Sequence, residues 1–80
     1  MYFSIKHVEA SSDFTLILTF ENGERKSYDM KPYLDTGVFK RLKDERVFRT
    51  AHVSFNTVAW DGDIDFDPEA LYEGGLPLSD

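Results

Sequence analysis

The sequence predicts an α+β domain: an antiparallel sheet of about five strands, in the order β-β-β-α-β-β-α, with short helices packed on one face. Three observations carry that class. Phe14, Leu16, Leu18 and Phe20 alternate with Thr15, Ile17 and Thr19, the period-2 signature of a strand with one face in a core. Asn22-Gly23 separates that run from a second one ending at Met30, which is the strongest short signal for a hairpin. Asp67-Pro68-Glu69 spells a helix start, with aspartate as N-cap, proline at the first helical position and an acid where the helix dipole favours it.

Eighty residues make one domain, placed at 1–75, with a loose tail at 76–80. At this size folding buries roughly 60% of the unfolded chain's surface, so the core must be dense in large side chains. Twelve aromatic residues supply that density. The absence of cysteine rules out a disulfide staple or a thiolate site and fits a reducing cytoplasm. There is no basic-then-apolar leader and no apolar run long enough to span a bilayer, so a soluble cytoplasmic protein is expected.

In chain order, Tyr2 to Ala10 reads as a first strand with Phe3, Ile5 and Val8 as its apolar members. Its imperfect alternation predicts an edge position or a bulge. Ser11-Ser12-Asp13 is a polar turn into the central strand. The hairpin register follows from parity. A two-residue Asn22-Gly23 turn sets Leu18 opposite Ser27 and Leu16 opposite Asp29, apolar against polar. A loop with an odd number of residues instead places Glu24, Lys26, Tyr28 and Met30 on the face of Phe14, Leu16, Leu18 and Phe20. The odd loop is therefore expected, with Gly23 supplying the positive φ.

Lys31-Pro32 ends strand pairing, because proline has no N–H to give, and a short turn runs on to Gly37. Val38, Phe39 and Leu42 at i, i+1 and i+4 predict a short amphipathic helix with Lys40, Arg41 and Lys43 outside. Asp44 is placed to cap a further turn that turns Val47 and Phe48 inward. Ala51–Phe55 and Val58–Trp60 read as strands, Val53 and Phe55 sharing one face, joined at Asn56-Thr57 by a type I turn. Asp61-Gly62 is a turn or bulge. Ile64 and Phe66 then alternate with acids in a short extended segment, and Ala70–Tyr72 forms one helical turn stopped by Gly74-Gly75.

Three stretches together resemble a bacterial family of small proteins catalogued as domain of unknown function 2442. The first is Leu16, Leu18, Phe20, Asn22, Gly23 and Glu24, leading to Asp29, Pro32 and Leu34. The second is Gly37-Val38-Phe39 with Leu42-Lys43-Asp44 and Phe48. The third is Val58 and Trp60, followed by Ile64-Asp65, Asp67-Pro68 and Leu71-Tyr72. Relatives often carry Pro-Asn-Gly after the tryptophan, where this chain has Asp61-Gly62. The resemblance implies no activity. It implies a neighbouring small protein encoded alongside, in an arrangement similar to toxin–antitoxin pairs, and so a protein partner.

The residues themselves offer no catalytic set. Asp61, Asp63, Asp65 and Asp67 alternate as the first ligands of an EF-hand loop do, but the sixth position lacks glycine and the twelfth lacks glutamate. His7 and His52 have no metal-binding spacing. Ser54 and His52 can share a strand face, yet no orienting acid or oxyanion site accompanies them. Trp60, Phe66 and Tyr72 could stack bases, but the surrounding acids repel phosphate, so they are assigned to the core.

The net charge of −6 is unevenly spread: residues 61–80 hold seven acids and no base, whereas five bases fall between Lys40 and Arg49. The expected function is a non-catalytic protein–protein interaction module that needs no cofactor. Its partner-binding residues are Lys40, Arg41, Lys43, Arg46 and Arg49, or else a sheet edge pairs within a homodimer or with a partner strand. The alternative is a nucleic-acid-associated regulator using that same basic face.

Overall fold

The computed structural model describes residues 4–78. The expected α+β class holds, and all pairing is antiparallel. The strands divide between two sheets. The larger has the order β1-β2-β3-β7, from Ile5–Ala10, Thr15–Phe20, Arg25–Asp29 and Leu76–Pro77. The smaller has the order β4-β5-β6, from His52–Ser54, Thr57–Trp60 and Ile64–Asp65. Between β3 and β4 lie a 3-10 turn (Lys31–Tyr33), a 3-10 helix (Gly37–Lys43) and α1 (Glu45–Phe48); α2 (Pro68–Gly74) precedes β7.

The hairpin loop is odd, as parity requires. Leu16 faces Tyr28 and Leu18 faces Lys26, which leaves Glu21-Asn22-Gly23 as the loop. Phe20 N–H donates to Glu24 O at 2.9 Å and Gly23 N–H to Phe20 O at 2.9 Å, with Gly23 at φ +90°. Tyr28 and Met30 are consequently buried beside Leu16 and Leu18. The same register carries Lys26 inward, where it is only 8% exposed. Its ammonium donates to Tyr72 O at 2.6 Å and lies 3.7 Å from the Tyr72 ring centroid. Tyr72 Oη in turn donates to Glu24 Oε1 at 2.5 Å. A buried cation that finds a carbonyl and a ring face avoids most of its desolvation cost, and here the arrangement fastens α2 across β3.

One core joins the two sheets. Trp60 stacks on Phe48 with centroids 6.4 Å apart and donates its indole N–H to Phe48 O at 3.1 Å. A second aromatic group gathers Tyr28, Tyr33, Phe39 and Phe66, and the Tyr28 and Tyr33 hydroxyls lie 2.8 Å apart. The caps form as expected: Arg46 N–H donates to Asp44 Oδ1 and Glu69 N–H to Asp67 Oδ1, each at 3.0 Å. Strand β1 lies at a sheet edge and carries a bulge between Ile5 and His7. The expected start of that strand at Tyr2 and Phe3 lies outside the described residues.

Four local expectations are corrected. Phe14 stands before β2 at φ +62°, because Ser12-Asp13-Phe14 is another three-residue loop closed by Ser11 N–H to Thr15 O, and its last residue must be left-handed. Its ring still packs edge-on to Phe48 at 5.2 Å. The segment Gly37–Lys43 winds as a 3-10 helix, so Phe39 and Leu42 align at i, i+3 while Val38 swings out to 48% exposure. Helix α2 runs to Gly74, beyond the single turn expected. Leu76-Pro77, expected in a loose tail, pair with Ser27 and Lys26, and Leu78 N–H reaches Arg25 O.

A Cβ at Gly23 meets nothing within 4 Å, so the cost of Gly23→Val is backbone conformation alone. The substitution is expected to lower stability by more than about 1 kcal/mol, read as a lower denaturant midpoint at unchanged slope. Burial, and then the Tyr33 hydroxyl, push the Tyr28 hydroxyl well above its ordinary value of 10.0. The folded state therefore holds that proton more tightly than the unfolded chain does. This contribution is whole below about pH 10 and is lost as pH rises above it. The fall in Tm between about pH 9 and pH 11 should be smaller in Tyr28→Phe than in the wild type.

Candidate functional site

The smaller sheet is positioned by the turn that follows α1. Thr50 Oγ1 donates to Val47 O at 2.6 Å and accepts from Asp61 N–H at 2.9 Å, tying the start of β4 to the end of β5. Thr50 O lies 2.7 Å from His52 Nδ1. Since a carbonyl only accepts, Nδ1 is the donor in this contact.

Strands β4 and β5 are joined by Phe55-Asn56, at φ +50° and +69°, with Ser54 opposite Thr57. That is a two-residue type I′ loop. It corrects the expected Asn56-Thr57 connection with a type I turn and Phe55 inside a strand. The physical reason is Thr57: one residue further on it sits in β5, where a β-branched side chain fits, and its hydroxyl donates to Phe66 O. Phe55 is displaced to the tip and is 97% exposed. The tip is held, because Asn56 O accepts from Ile5 N–H at 3.0 Å.

Register defines the outer face. His52 pairs with Ala59 and Ala59 with Asp65, so the three form one row across the sheet and point the same way. Ser54 shares that side, whereas Val58, Trp60 and Ile64 point into the core. Alanine at the centre of the row leaves a low floor between taller neighbours. The result is an open groove of about 390 Å³. Phe55 stands at one end and the Asp61-Gly62-Asp63 loop at the other.

The five basic residues singled out in the sequence are all exposed, but they do not form one free patch. Arg41 Nη1 donates to Gly62 O at 3.1 Å, and its guanidinium occupies the space that a Cβ on Gly62 would need. Lys43 pairs with Asp35, Arg46 with Asp44 at 3.5 Å and Arg49 with Glu45 at 3.7 Å. The hydrogen bond and charge of Lys43 hold the Asp35 carboxyl below its ordinary range, with a smaller contribution from Lys40. The Arg46 backbone N–H, then its side chain, does the same for Asp44. By contrast, the Asp61, Asp63 and Asp65 carboxylates make no hydrogen bond or ion pair among the described residues.

The remaining candidates stay apart. Ser54 and His52 share a face, but among the described residues no hydrogen bond joins them. His7 is exposed on β1. Trp60 is buried, so it offers no platform for a base. Among the described residues no cluster of three or more His, Cys, Asp or Glu side chains could hold a metal ion, and no helix is long and apolar enough to cross a membrane.

Residues 5–77 match the family described as a protein of unknown function, DUF2442. No curated protein matches the chain. No solved structure does either.

The Arg41–Gly62 contact spans 21 residues and ties the 3-10 helix to the β5–β6 loop. Arg41→Ala should leave the unfolding free energy, measured by denaturant titration, within about 0.5 kcal/mol of the wild-type value, since an exposed polar contact contributes little. Amide exchange at Gly62 and Asp63 should quicken relative to the β5 amides, measured by hydrogen–deuterium exchange.

Proposed function

The chain belongs to the DUF2442 family, and from that membership and the shape of its smaller sheet we propose that it is a non-catalytic module that binds another protein. The observation that carries the reading is Phe55. A large aromatic side chain stands 97% exposed at a hairpin tip, on a left-handed backbone, beside an open groove. Left-handed backbone costs a non-glycine residue about 1–2 kcal/mol, and exposure forgoes the gain of burying the ring. Exposed aromatics of this kind serve as anchors in protein interfaces.

The Lys40–Arg49 face supports binding less directly. Lys43, Arg46 and Arg49 already have carboxylate partners, and those contacts compete with an incoming anion. The same competition, together with the net charge of −6, weighs against a nucleic-acid regulator. The setting we infer is the bacterial cytoplasm, with the partner encoded beside this chain as in toxin–antitoxin pairs. That part of the reading rests on the family resemblance alone. No cofactor enters it.

Phe55→Gly tests the reading, because stability and binding should move in opposite directions. Glycine takes positive φ freely, so the unfolding free energy should equal the wild-type value or exceed it by up to about 1 kcal/mol. Loss of an aromatic anchor worth about 2 kcal/mol should weaken partner binding roughly thirtyfold. Wild-type and Phe55→Gly proteins are immobilised, and the proteins retained from native extract are compared by quantitative mass spectrometry. If both retain the same proteins equally well, Phe55 is not a contact and the reading loses its support.

A further inference from the structure

The groove has two chemically different ends. Phe55 is the apolar one. The other carries Asp61 and Asp63, with Asp65 on the side wall, and no lysine or arginine lines the groove. Several acids elsewhere have side-chain partners: Asp29 with Lys31, Asp35 with Lys43, Asp44 with Arg46, Glu45 with Arg49 and Glu24 with Tyr72. In the groove the Asp61, Asp63 and Asp65 carboxylates make no hydrogen bond or ion pair among the described residues, and the nearby Arg41 guanidinium is held on the carbonyl of Gly62. The open side therefore keeps an excess of negative charge.

The β4–β5 and β5–β6 loops lie at opposite ends of β5, so the groove follows the strand. From Thr57 to Asp61 a strand advances about 13 Å, at about 3.3 Å per residue. An extended peptide laid along it points every second side chain down, so residues four apart reach the two ends together. The open sheet face, its aromatic end and its charge fix one occupant.

We propose that the groove docks an extended cationic segment of the partner. An apolar side chain of that segment lies against Phe55, and an arginine or lysine four residues away lies among Asp61, Asp63 and Asp65. The low floor at Ala59 receives the side chain between them. This rests on the protein-binding reading and names the chemistry of the partner segment.

The test is an NMR titration of the isotope-labelled full chain with two synthetic peptides, Gly-Leu-Ser-Thr-Ser-Arg-Gly and Gly-Arg-Ser-Thr-Ser-Leu-Gly, both with blocked ends. At least one should give saturable shifts confined to the amides of 52–65. The matching peptide with glutamate in place of arginine should bind at least tenfold more weakly. Raising salt to about 0.5 M should weaken the arginine peptide severalfold. The triple variant Asp61→Asn, Asp63→Asn, Asp65→Asn and, separately, Phe55→Ser should each lose at least fivefold in affinity. Asparagine suits the left-handed backbone of Asp63 at φ +62°, and the carboxylates it replaces make no hydrogen bond among the described residues. Should the triple variant fail to fold, the single variants decide.

Shifts that map elsewhere, equal binding of arginine and glutamate peptides, or an undiminished triple variant would each overturn the proposal. So would shifts of the same amides with protein concentration alone, which assign the groove to a second copy of the chain. If neither peptide binds while Phe55→Gly still loses its partners, the cationic segment is wrong and the binding module stands. If Phe55→Gly loses nothing, the module reading itself falls.

Discussion

The fold depends on the length of one loop. Glu21-Asn22-Gly23 has three residues, so the second strand of the hairpin returns with Lys26, Tyr28 and Met30 on the core side. A two-residue loop would turn all three to solvent, since side chains alternate faces along a strand. More than the hairpin would be lost. Tyr28 contacts Tyr33 and Phe66, and so joins β3 to the 3-10 turn and to the end of β6. Lys26 holds the carbonyl of Tyr72 and with it α2. In a domain of 80 residues few contacts are redundant. The 3-10 turn, the end of β6 and α2 thus each meet the sheet through a side chain whose direction this loop sets.

What the sequence made legible is what short-range chemistry decides. Asparagine and glycine in the turn, aspartate and proline before α2, and Asp44 before α1 each act within three residues, and each took its expected role. For Phe14, Val38 and Phe55 hydrophobic pattern alone does not give the backbone position. Phe14 and Phe55 fall where closing a tight loop requires positive φ, which takes both out of the strands and, for Phe55 alone, leaves the ring in water. Val38 follows the three-residue repeat of a 3-10 helix and not the α-helical period that its spacing suggests. Leu76-Pro77 is too short, with a proline, to announce a strand, and it forms only because the edge of β3 is there to receive it.

The candidate site was legible only in pieces. The alternation of Asp61, Asp63 and Asp65 with apolar neighbours is visible in the sequence, and by itself it describes only the wet side of a strand. The groove depends on two facts that no local pattern carries. One is the register that sets Ala59 between His52 and Asp65; the other is the displacement of Phe55 to the tip. Arg41 illustrates the same limit. In sequence it belongs to a basic run, but its guanidinium crosses to a loop 21 residues away. The bases near it have acids within reach along the same stretch, as Lys43 has Asp35 and Arg49 has Glu45. The segment Lys40–Arg49 is basic in sequence, but most of its charges meet carboxylates in the fold, and it is the groove that keeps acids without such partners.

Phe14 and Phe55 serve as controls for each other. Both are phenylalanines on left-handed backbone, at φ +62° and +50°, and both close a tight connection between strands. For Phe14 the chain itself offsets the strain: the residue is half-buried, its ring meets Phe48 edge-on at 5.2 Å, and its carbonyl accepts from Met30 N–H. For Phe55 the backbone beside it is held, through Asn56 O and Ile5 N–H, but the ring meets nothing that removes it from water. A glycine or asparagine at that position would close the same loop at lower cost. Strain that packing does not offset collects at functional sites, and here the part of the residue without a role inside the fold is the ring. Its natural complement is an apolar surface from outside the chain, presented where the groove begins.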